Sequence, residues 1–390
     1  MLCLLCSIGT VAQEAYTVLT EADSTLTFYY DEMRGSRPGT SYSLNTGLTS
    51  PDWYRSRHKV SRAVFDPSFA AARPKSTFGW FYEMDNLTSI TGIAYLNTSS
   101  VTYMTFMFSG CKSLDYIDLS GFDTSGVTDM MAMFQDCTSL TTLDVSGFNT
   151  ENVTNLGSMF ANCESLTLLD VSGFNTDNVV DMAAMFQDCR SLTALDVSGF
   201  NTGNVTDIYG MFNGCNSLKS IDVSGFNTAN VTNMRAMFAL CSSLTTLDLS
   251  GFNTENVTDM YGMFNGCNLL ETICVGLGWC TDAVTESGMM FRGCTHLVGG
   301  QGTTYDADHV DVTYAHVDGG PSNPGYLTCG FNENDVNGDG EVNIADVNTI
   351  INSVLGNGCN SRADLNKDGE INIADINAII DIILGDGCSR

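Results

Sequence analysis

A step of 26 residues runs through the middle of the chain and constrains its fold more than any other feature. The pair Met-Phe recurs at this step from residue 107 to residue 263, and a last copy arrives one residue late at Met290-Phe291. Cysteine keeps the same step, with the same late last copy, at Cys111, Cys137, Cys163, Cys189, Cys215, Cys241, Cys267 and Cys294. A fixed period of this length predicts a solenoid, in which each repeat buries its apolar side against its neighbours.

The first half of each repeat predicts a short strand. Leu143 and Val145 alternate with Asp144 and Ser146, which places the apolar pair on one face and the polar pair on the other. Stacked repeats would bring these strands into a parallel sheet with a spacing of about 4.8 Å. The aspartate position then forms a column on the outer face, at Asp118, Asp144, Asp170, Asp196, Asp222 and Asp248.

The second half of each repeat predicts a short helix. In the segment that begins at Asn256, Thr258 is placed to cap a helix. The apolar residues would share one side of that helix, at Val257, Met260, Met263 and Phe264. A strand and a short helix within 26 residues match the length of a leucine-rich repeat. The predicted fold class is therefore α/β, a leucine-rich-repeat-like solenoid with a parallel sheet and short helices.

The segments outside the repeats predict caps and a leader. The apolar start of the chain ends in small residues, as a secretory signal peptide does, and it is too short to span a bilayer. Residues 13–84 lack the 26-residue step and are rich in aromatic residues, which suits an N-terminal cap. The predicted boundaries are a signal peptide at 1–12, this cap at 13–84, the solenoid at 85–300, a C-terminal cap and linker at 301–330, and a separate module at 331–390.

The charge balance restricts the partners of the chain. It has 45 acidic and 16 basic residues, for a net charge of -29. Such a field repels nucleic acid and favours cations or basic partners. We therefore expect no nucleic-acid partner and no transmembrane segment.

Two copies of an acidic loop, 29 residues apart, predict calcium sites near the C-terminus. Each copy places oxygen-bearing side chains at the ligand positions of an EF-hand loop, with Gly340 or Gly369 at the sharp turn. At the seventh position Glu341 and Glu370 would offer backbone carbonyls, and at the ninth position a water usually bridges. The predicted ligands of two Ca²⁺ ions are Asp335, Asn337, Asp339, Glu341, Asn343 and Asp346 in the first loop and Asp364, Asn366, Asp368, Glu370, Asn372 and Asp375 in the second.

Residues 14–328 resemble the BspA-like leucine-rich repeat family of bacterial surface proteins. The resemblance is carried by the units LDVSGFNTxNVTxMxxMFxxC, by the entry from Trp80-Phe81 to Thr98, and by the exit Asp318-Gly319-Gly320-Pro321. It implies a secreted or cell-surface bacterial protein that acts in adhesion or recognition. It does not imply a defined ligand.

Residues 331–390 resemble a type I dockerin module. Each loop ends in Asp in place of the usual Glu, and no helix pattern precedes it. Apolar stripes would form the core of the two exiting helices, at Ile344, Val347, Ile351, Val354 and Leu355 and at Ile373, Ile376, Ile380, Ile383 and Leu384. The resemblance implies a small α domain that binds a cohesin-like protein through loop positions 10 and 11, which are Ile344, Ala345, Ile373 and Ala374.

The cysteines allow several pairings. Stacked cysteines of the repeat step have parallel Cα–Cβ vectors, which favours a buried column of thiols over disulfides. Cys274 and Cys280 lie off the step and are the better candidate pair, while Cys359 and Cys388 would pair if the two dockerin copies are related by a twofold axis. The state of Cys329 stays open.

The aspartate column has two interpretations. Like charges stacked at this spacing repel unless neighbouring hydroxyls and amides satisfy them. Alternatively, the column is a surface for a cation or a basic partner, with Asp144, Asp170, Asp196 and Asp222 at its centre.

The sequence favours a binding protein over an enzyme. The four histidines are scattered, and no HExxH, GxSxG or phosphate-loop motif occurs. We expect the solenoid to recognise a protein or glycan partner and the dockerin to anchor it to a cohesin-like receptor. Two alternatives remain, a component of a polysaccharide-degrading assembly and a structural spacer.

Overall fold

A computed structural model of the chain describes residues 12–276, 278–329, 336–337, 342–355, 363–366 and 368–385. The predicted signal peptide lies outside these residues except for its last position. The N-terminal cap is a five-stranded sheet in the order β3-β1-β2-β4-β5. Strand β2 pairs antiparallel with β1 and parallel with β4. The strands are β1 (Glu14–Thr20), β2 (Thr25–Asp31), β3 (Thr40–Ser43), β4 (Arg62–Phe65) and β5 (Ser89–Thr91).

Aromatic side chains fill the space between this sheet and three short 3-10 helices, at Asp52–Lys59, Pro67–Ala71 and Ile93–Tyr95. Phe28 stacks on Phe65 at 4.4 Å and on Trp80 at 5.1 Å between ring centroids. The indole of Trp53 donates to the Trp80 carbonyl at 2.8 Å, which satisfies the buried N–H. The aromatic richness of the cap sequence therefore forms one core beneath its sheet.

The repeats stack in parallel at the predicted step. A chain of parallel bridges climbs from coil to coil through Ser76, Tyr103, Asp129, Asn155, Asp181, Asp207, Asn233, Asp259 and Glu286. Short strands lie on the other side of the coils, at β6 (Thr142–Leu143), β7 (Leu168–Leu169), β8 (Thr246–Leu249) and β9 (Thr272–Val275). Strand β10 (Thr328–Cys329) returns from the C-terminal cap and pairs with β9.

The strands are shorter than the sequence pattern predicts, and in β6 and β7 they end at the residue before an aspartate that accepts a backbone amide. The backbone N–H of Ser146 donates to the Asp144 carboxylate at 3.0 Å. A side chain that takes such an amide competes with the sheet ladder and turns the chain. The parallel sheet is therefore broken into small pieces.

The predicted short helices of the solenoid are wrong, since residues 12–276 and 278–329 contain no α-helix. The segment that follows Asp129 forms tight turns, with left-handed backbone at Ala132 (φ 53) and Asp136 (φ 58). Its amides alternate between two kinds of partner. Met133 donates to Met130 within the turn at 3.2 Å, whereas Ala132 donates to the next coil at 2.9 Å. In an α-helix each amide would donate to a carbonyl of the same helix. The hydrogen bonds that join one coil to the next could then not form.

Columns of identical side chains form the solenoid core, as predicted. Rings of the Phe column lie parallel from coil to coil, as at Phe134 and Phe160, whose centroids are 5.9 Å apart at 1°. Each buried cysteine thiol donates to a carbonyl of the preceding coil, as Cys163 does to Phe134 at 3.2 Å. All eight cysteines of the step are buried free thiols, which confirms the prediction. Burial raises the pKa of Cys163 to about 12.

The pairing predicted between Cys274 and Cys280 is wrong. Cys280 is disulfide-bonded, and the bond is not made with Cys274. The two thiols lie in different surroundings, since Cys274 is half-exposed on β9 while Cys280 is buried. Cys359 and Cys388 lie outside the described residues.

The C-terminal cap is organised by one buried carboxylate. Asp318 is 1% exposed and accepts backbone N–H groups from Gln301 at 2.8 Å, Thr303 at 2.9 Å and Gly320 at 2.9 Å. Burial alone would raise its pKa, but these hydrogen bonds hold the pKa below the usual aspartate value. This side chain therefore ties together the loops that cover the last coil.

The dockerin region contributes two helices, α1 (Ile344–Val354) and α2 (Ile373–Gly385). Its small core contains Val347, Ile350 and Ile379. The predicted core stripes are partly wrong, because Ile350 and Ile379 replace several of their members. The exposed apolar residues of those stripes are Ile344, Ile351, Val354, Leu355, Ile373 and Leu384. None of the described helices is long and apolar enough to cross a membrane.

Candidate binding face and calcium loops

The four predicted partner-binding aspartates lie in one column on the exposed side of the coils. In each, Oδ1 accepts the backbone N–H and the hydroxyl of the serine two residues later, as Asp170 does from Ser172 at 3.0 and 2.7 Å. These bonds lower the pKa of Asp144, Asp170, Asp196 and Asp222, the serine hydroxyl contributing most. These four carboxylates therefore stay ionised at neutral pH.

The hydrogen bonds of the turns use only one of the two oxygens of each carboxylate. Among the described residues, no hydrogen bond reaches Oδ2 of Asp144, Asp170, Asp196 or Asp222. The column can therefore serve both predicted roles. Oδ1 accepts the hydrogen bonds that stabilise the turn, while Oδ2 faces solvent and is available to a cation or a basic partner. The amide and hydroxyl bonds offset the repulsion between neighbouring coils.

Two exposed apolar residues that the sequence pattern did not predict lie beside this column. Tyr116 is 65% exposed and Leu168 is 68% exposed, which is unusual for side chains of this size. They border a shallow groove of about 280 Å³ that also includes Asp118, Asp144 and Asp170. The signal was available, since both residues stand two positions before the aspartate, where the other repeats of the column carry Thr, Ser or Ala.

The second dockerin loop turns around Asp364, whose carboxylate accepts the N–H of Asp368 at 3.1 Å and that of Gly369 at 2.9 Å. Gly369 has a φ of 88°, the left-handed conformation that the sharp turn requires. Burial, followed by the neighbouring carboxylates of Asp375 and Asp368, raises the pKa of Asp364. The carboxylates of Asp368 and Asp375 thus act on Asp364, and a divalent cation bound in this loop would relieve their repulsion.

Both loops close in the same way. The buried carboxylate of Asp346 accepts the N–H of Asn337 at 2.9 Å and that of Asn343 at 2.8 Å. Asp375 repeats these contacts with Asn366 at 3.1 Å and Asn372 at 2.8 Å. Position 12 of each loop thereby connects positions 3 and 9. The predicted ligands Asp335, Asp339 and Glu341 lie outside the described residues.

The asparagines at loop position 9 have a helix-capping role. The Oδ1 atom of Asn343 accepts the N–H of Ala345 at 2.7 Å, and that of Asn372 accepts the N–H of Ala374 at 2.8 Å. The Glu370 side chain is exposed, as expected where the backbone carbonyl is the ligand. No cluster of three or more His, Cys, Asp or Glu poised for a metal occurs in the described part of the chain. The ligand set of the second loop, which includes Asp364, Asp368 and Asp375, therefore stays a prediction.

The residues at positions 10 and 11 lie at the surface. Ile344 is 68% exposed and Ile373 is 66% exposed, so neither belongs to the core. Ala374 is exposed and Ala345 is half-buried beside them. Ile344 and Ile373 are predicted both as core residues and as partner contacts. Because neither packs in the core, both side chains are free to contact a partner.

The repeats match the family model described as "Mycoplasma protein of unknown function, DUF285" over residues 76–195 and 182–305, more than half of the chain. The chain belongs to this family. The BspA-like resemblance of its DUF285 repeats is thereby confirmed. Residues 333–384 match the type I dockerin domain, which also confirms that resemblance. Both families are non-catalytic modules, and type I dockerin domains bind calcium and a cohesin partner. No curated protein matches the chain.

Three crystal structures are similar to the chain at low identity. A leucine-rich repeat protein from Bacteroides ovatus is 16% identical over 75% of this chain and 82% of its own, with a TM-score of 0.38. A leucine rich cell surface protein from Faecalibacterium prausnitzii is 18% identical over 73% and 91%, with a TM-score of 0.31. A leucine-rich repeat protein from Eubacterium ventriosum is 16% identical over 73% and 93%, with a TM-score of 0.28.

Proposed function

We propose that this chain is a non-catalytic, secreted or cell-surface bacterial binding protein. Its solenoid recognises a partner of basic character through the aspartate column. Its dockerin holds two Ca²⁺ ions and anchors the solenoid to a cohesin-like receptor through Ile344, Ala345, Ile373 and Ala374.

The observation that supports partner binding is the neighbourhood of the column. Ionised carboxylates with an unused oxygen stand beside the exposed Tyr116 and Leu168. Exposed aromatic and aliphatic groups rimmed by charge are typical of interaction surfaces. Opposite charge on the partner would steer the encounter, and the apolar pair would supply buried area.

The test replaces charges on this face without changing its shape. The triple variant Asp170→Asn, Asp196→Asn and Asp222→Asn keeps an Oδ1 acceptor for each turn and removes three charges. We expect this variant to fail to capture partner proteins that the wild-type chain captures from native secretions.

The matched control is the triple variant Asp129→Asn, Asp181→Asn and Asp207→Asn. These residues belong to the chain of parallel bridges between coils, where Asn155 and Asn233 already occupy equivalent positions. It removes the same charge from another side of the coils and should retain capture. Equal capture by both triple variants would rule out the aspartate column as the binding face.

A second candidate function follows from the dockerin. A module that binds a cohesin partner suits a component of a polysaccharide-degrading assembly. In that role the chain would co-purify with glycoside hydrolases in the presence of calcium and would separate from them in EDTA. Association that persists in EDTA would contradict assembly through the dockerin.

A further inference from the structure

A second concave site lies where the N-terminal cap meets the first coils. This cleft has a volume of about 450 Å³ and is separate from the aspartate column. We call it the cap cleft. The charged and amide side chains that line it include Arg57, Glu83, Asp85, Lys112, Gln135 and Asp136.

The cap side of the cleft is held rigidly. Arg57 Nε and the Tyr54 hydroxyl both donate to Glu83 Oε2, at 2.9 and 2.7 Å. The guanidinium of Arg57 also lies over the Tyr54 ring, 4.1 Å from its centroid. The Tyr82 ring stacks on that of Tyr54 at 5.6 Å and 9°. Such a wall is formed before any ligand arrives, which reduces the entropy lost on binding.

The coil side offers polar groups with unused capacity. The Lys112 ammonium forms no ion pair, and the Gln135 amide forms no side-chain hydrogen bond, with any other described residue. Asp136 accepts from the Asn162 amide at 2.8 Å through Oδ1 only. Between these residues lies Gly110, whose φ of 78° and missing side chain let successive coils approach closely.

The charges around the cleft are close to balanced. Three carboxylates, of Glu83, Asp85 and Asp136, face Arg57 and Lys112, and His58 lies 2.9 Å from the Asp85 carboxylate. The chain as a whole carries -29. This part of the surface therefore lacks the strong negative potential expected from that charge.

Balanced donors and acceptors restrict the ligand. An anion would be repelled by three carboxylates, and a cation by Arg57 and Lys112. An apolar ligand would leave charged groups without partners. A polyhydroxyl compound fits, because each hydroxyl both donates and accepts hydrogen bonds. The volume lies within the range of about 300–1,000 Å³ that is typical of small-molecule sites.

We propose that the cap cleft binds a neutral saccharide. Lys112 and Arg57 donate to sugar oxygens, while Asp85 and Asp136 accept from sugar hydroxyls. The Gln135 amide does both. This site goes beyond the proposed function, since it involves neither the aspartate column nor calcium.

The test measures binding to the full-length chain by calorimetry and ligand-detected NMR. The probes are cellohexaose, xylohexaose, mannohexaose and maltohexaose, with tri-galacturonic acid and tetralysine as charged comparisons. We expect at least one neutral probe to bind. The variant Gln135→Ala should weaken that binding about threefold to tenfold, as loss of a hydrogen-bonding group does.

The chain supplies matched controls. Gln187 occupies the place of Gln135 two coils further on and lies outside the cleft, so Gln187→Ala should bind as the wild type does. Lys112→Gln should weaken binding, whereas Arg190→Gln, three coils further on, should not. All four positions are at the surface or half-buried, so the variants should fold.

Three results would overturn the saccharide site. One is no neutral probe bound at concentrations up to about 10 mM. Another is equal weakening by Gln135→Ala and Gln187→Ala. The third is binding of a charged probe in preference to every neutral one. EDTA and the triple variant of the aspartate column should leave saccharide binding unchanged, so the two proposals can fail independently.

Discussion

Removing one buried hydroxyl should loosen the joint between two coils. Thr176 is 2% exposed, and its Oγ1 donates to the Asn201 carbonyl at 2.9 Å. The same oxygen accepts the Asn201 N–H at 2.8 Å. In Thr176→Val the shape is kept and both bonds are lost, which leaves two backbone groups of the next coil without partners.

The magnitude follows from these two groups. A buried polar group left unsatisfied costs about 1–3 kcal/mol. Because the Asn201 side chain is exposed, water reaches part of this site, so we take the lower half of the range for each group. The free energy of unfolding should therefore fall by about 2–4 kcal/mol. Thr176→Ser keeps the hydroxyl and should lose only about 1 kcal/mol of packing.

The assay is urea denaturation followed by circular dichroism, with Thr193→Val as the control. Thr193 is exposed in the following repeat and makes no side-chain hydrogen bond with the described residues. Its variant should unfold at the wild-type urea concentration. If Thr176→Val is as stable as Thr193→Val, the paired hydrogen bonds do not stabilise the joint and the reasoning fails.

Three further predictions concern charge and calcium. Desolvation, followed by Asp207 and Asp129, raises the pKa of Asp181, so Asp181→Asn should stabilise the chain by about 0.5–1 kcal/mol at pH 7. Protonation of Asp181 at low pH removes the same unfavourable charge from the wild type, so the advantage of Asp181→Asn should vanish there. Unfolding curves in which the variant is equally stabilised near pH 3 would contradict the raised pKa of Asp181. Hydrogen bonds lower the pKa of Asp318, so its stabilisation is present above the ordinary aspartate pKa of 3.8 and is lost as pH falls through the folded value. Asp318→Asn should therefore destabilise the chain by about 2–3 kcal/mol at pH 7 and by much less in acid, as chemical denaturation would show. EDTA should lower the thermal midpoint of the dockerin and leave the solenoid transition in place, and calorimetry that shows no calcium effect would contradict the metal loops.

The sequence was sufficient for the period, the core columns and the family, because stacking copies forces equivalent side chains together. It was misleading about the helices. Val257, Met260, Met263 and Phe264 are buried, but tight turns satisfy that pattern as well as a helix does. The missed signal is the Gly, Asn or Asp at the second left-handed position of each coil, as at Gly214, where Leu240 is the exception among residues 107–294.

Surface sites were less predictable than the core. The exposed Tyr116 and Leu168 each replace a small residue in a single repeat, so the repeat pattern does not reveal them. The cap cleft depends on contacts between the aperiodic cap and the first coils, such as Arg57 with Glu83. No local pattern contains that information. The aspartate column was predictable as geometry, while its partner was not.

The most direct test of the central claim, that the solenoid binds a partner and the dockerin anchors it, is a quantitative capture experiment in calcium and in EDTA. The immobilised full-length chain is incubated with native secretions, and bound proteins are quantified by mass spectrometry. We predict two sets, one that requires calcium and one that remains in EDTA and disappears in the triple variant Asp170→Asn, Asp196→Asn and Asp222→Asn. Two results would contradict separate binding by the solenoid and the dockerin. One is that every captured protein is lost in EDTA, and the other is that the EDTA-resistant proteins remain bound to the triple variant.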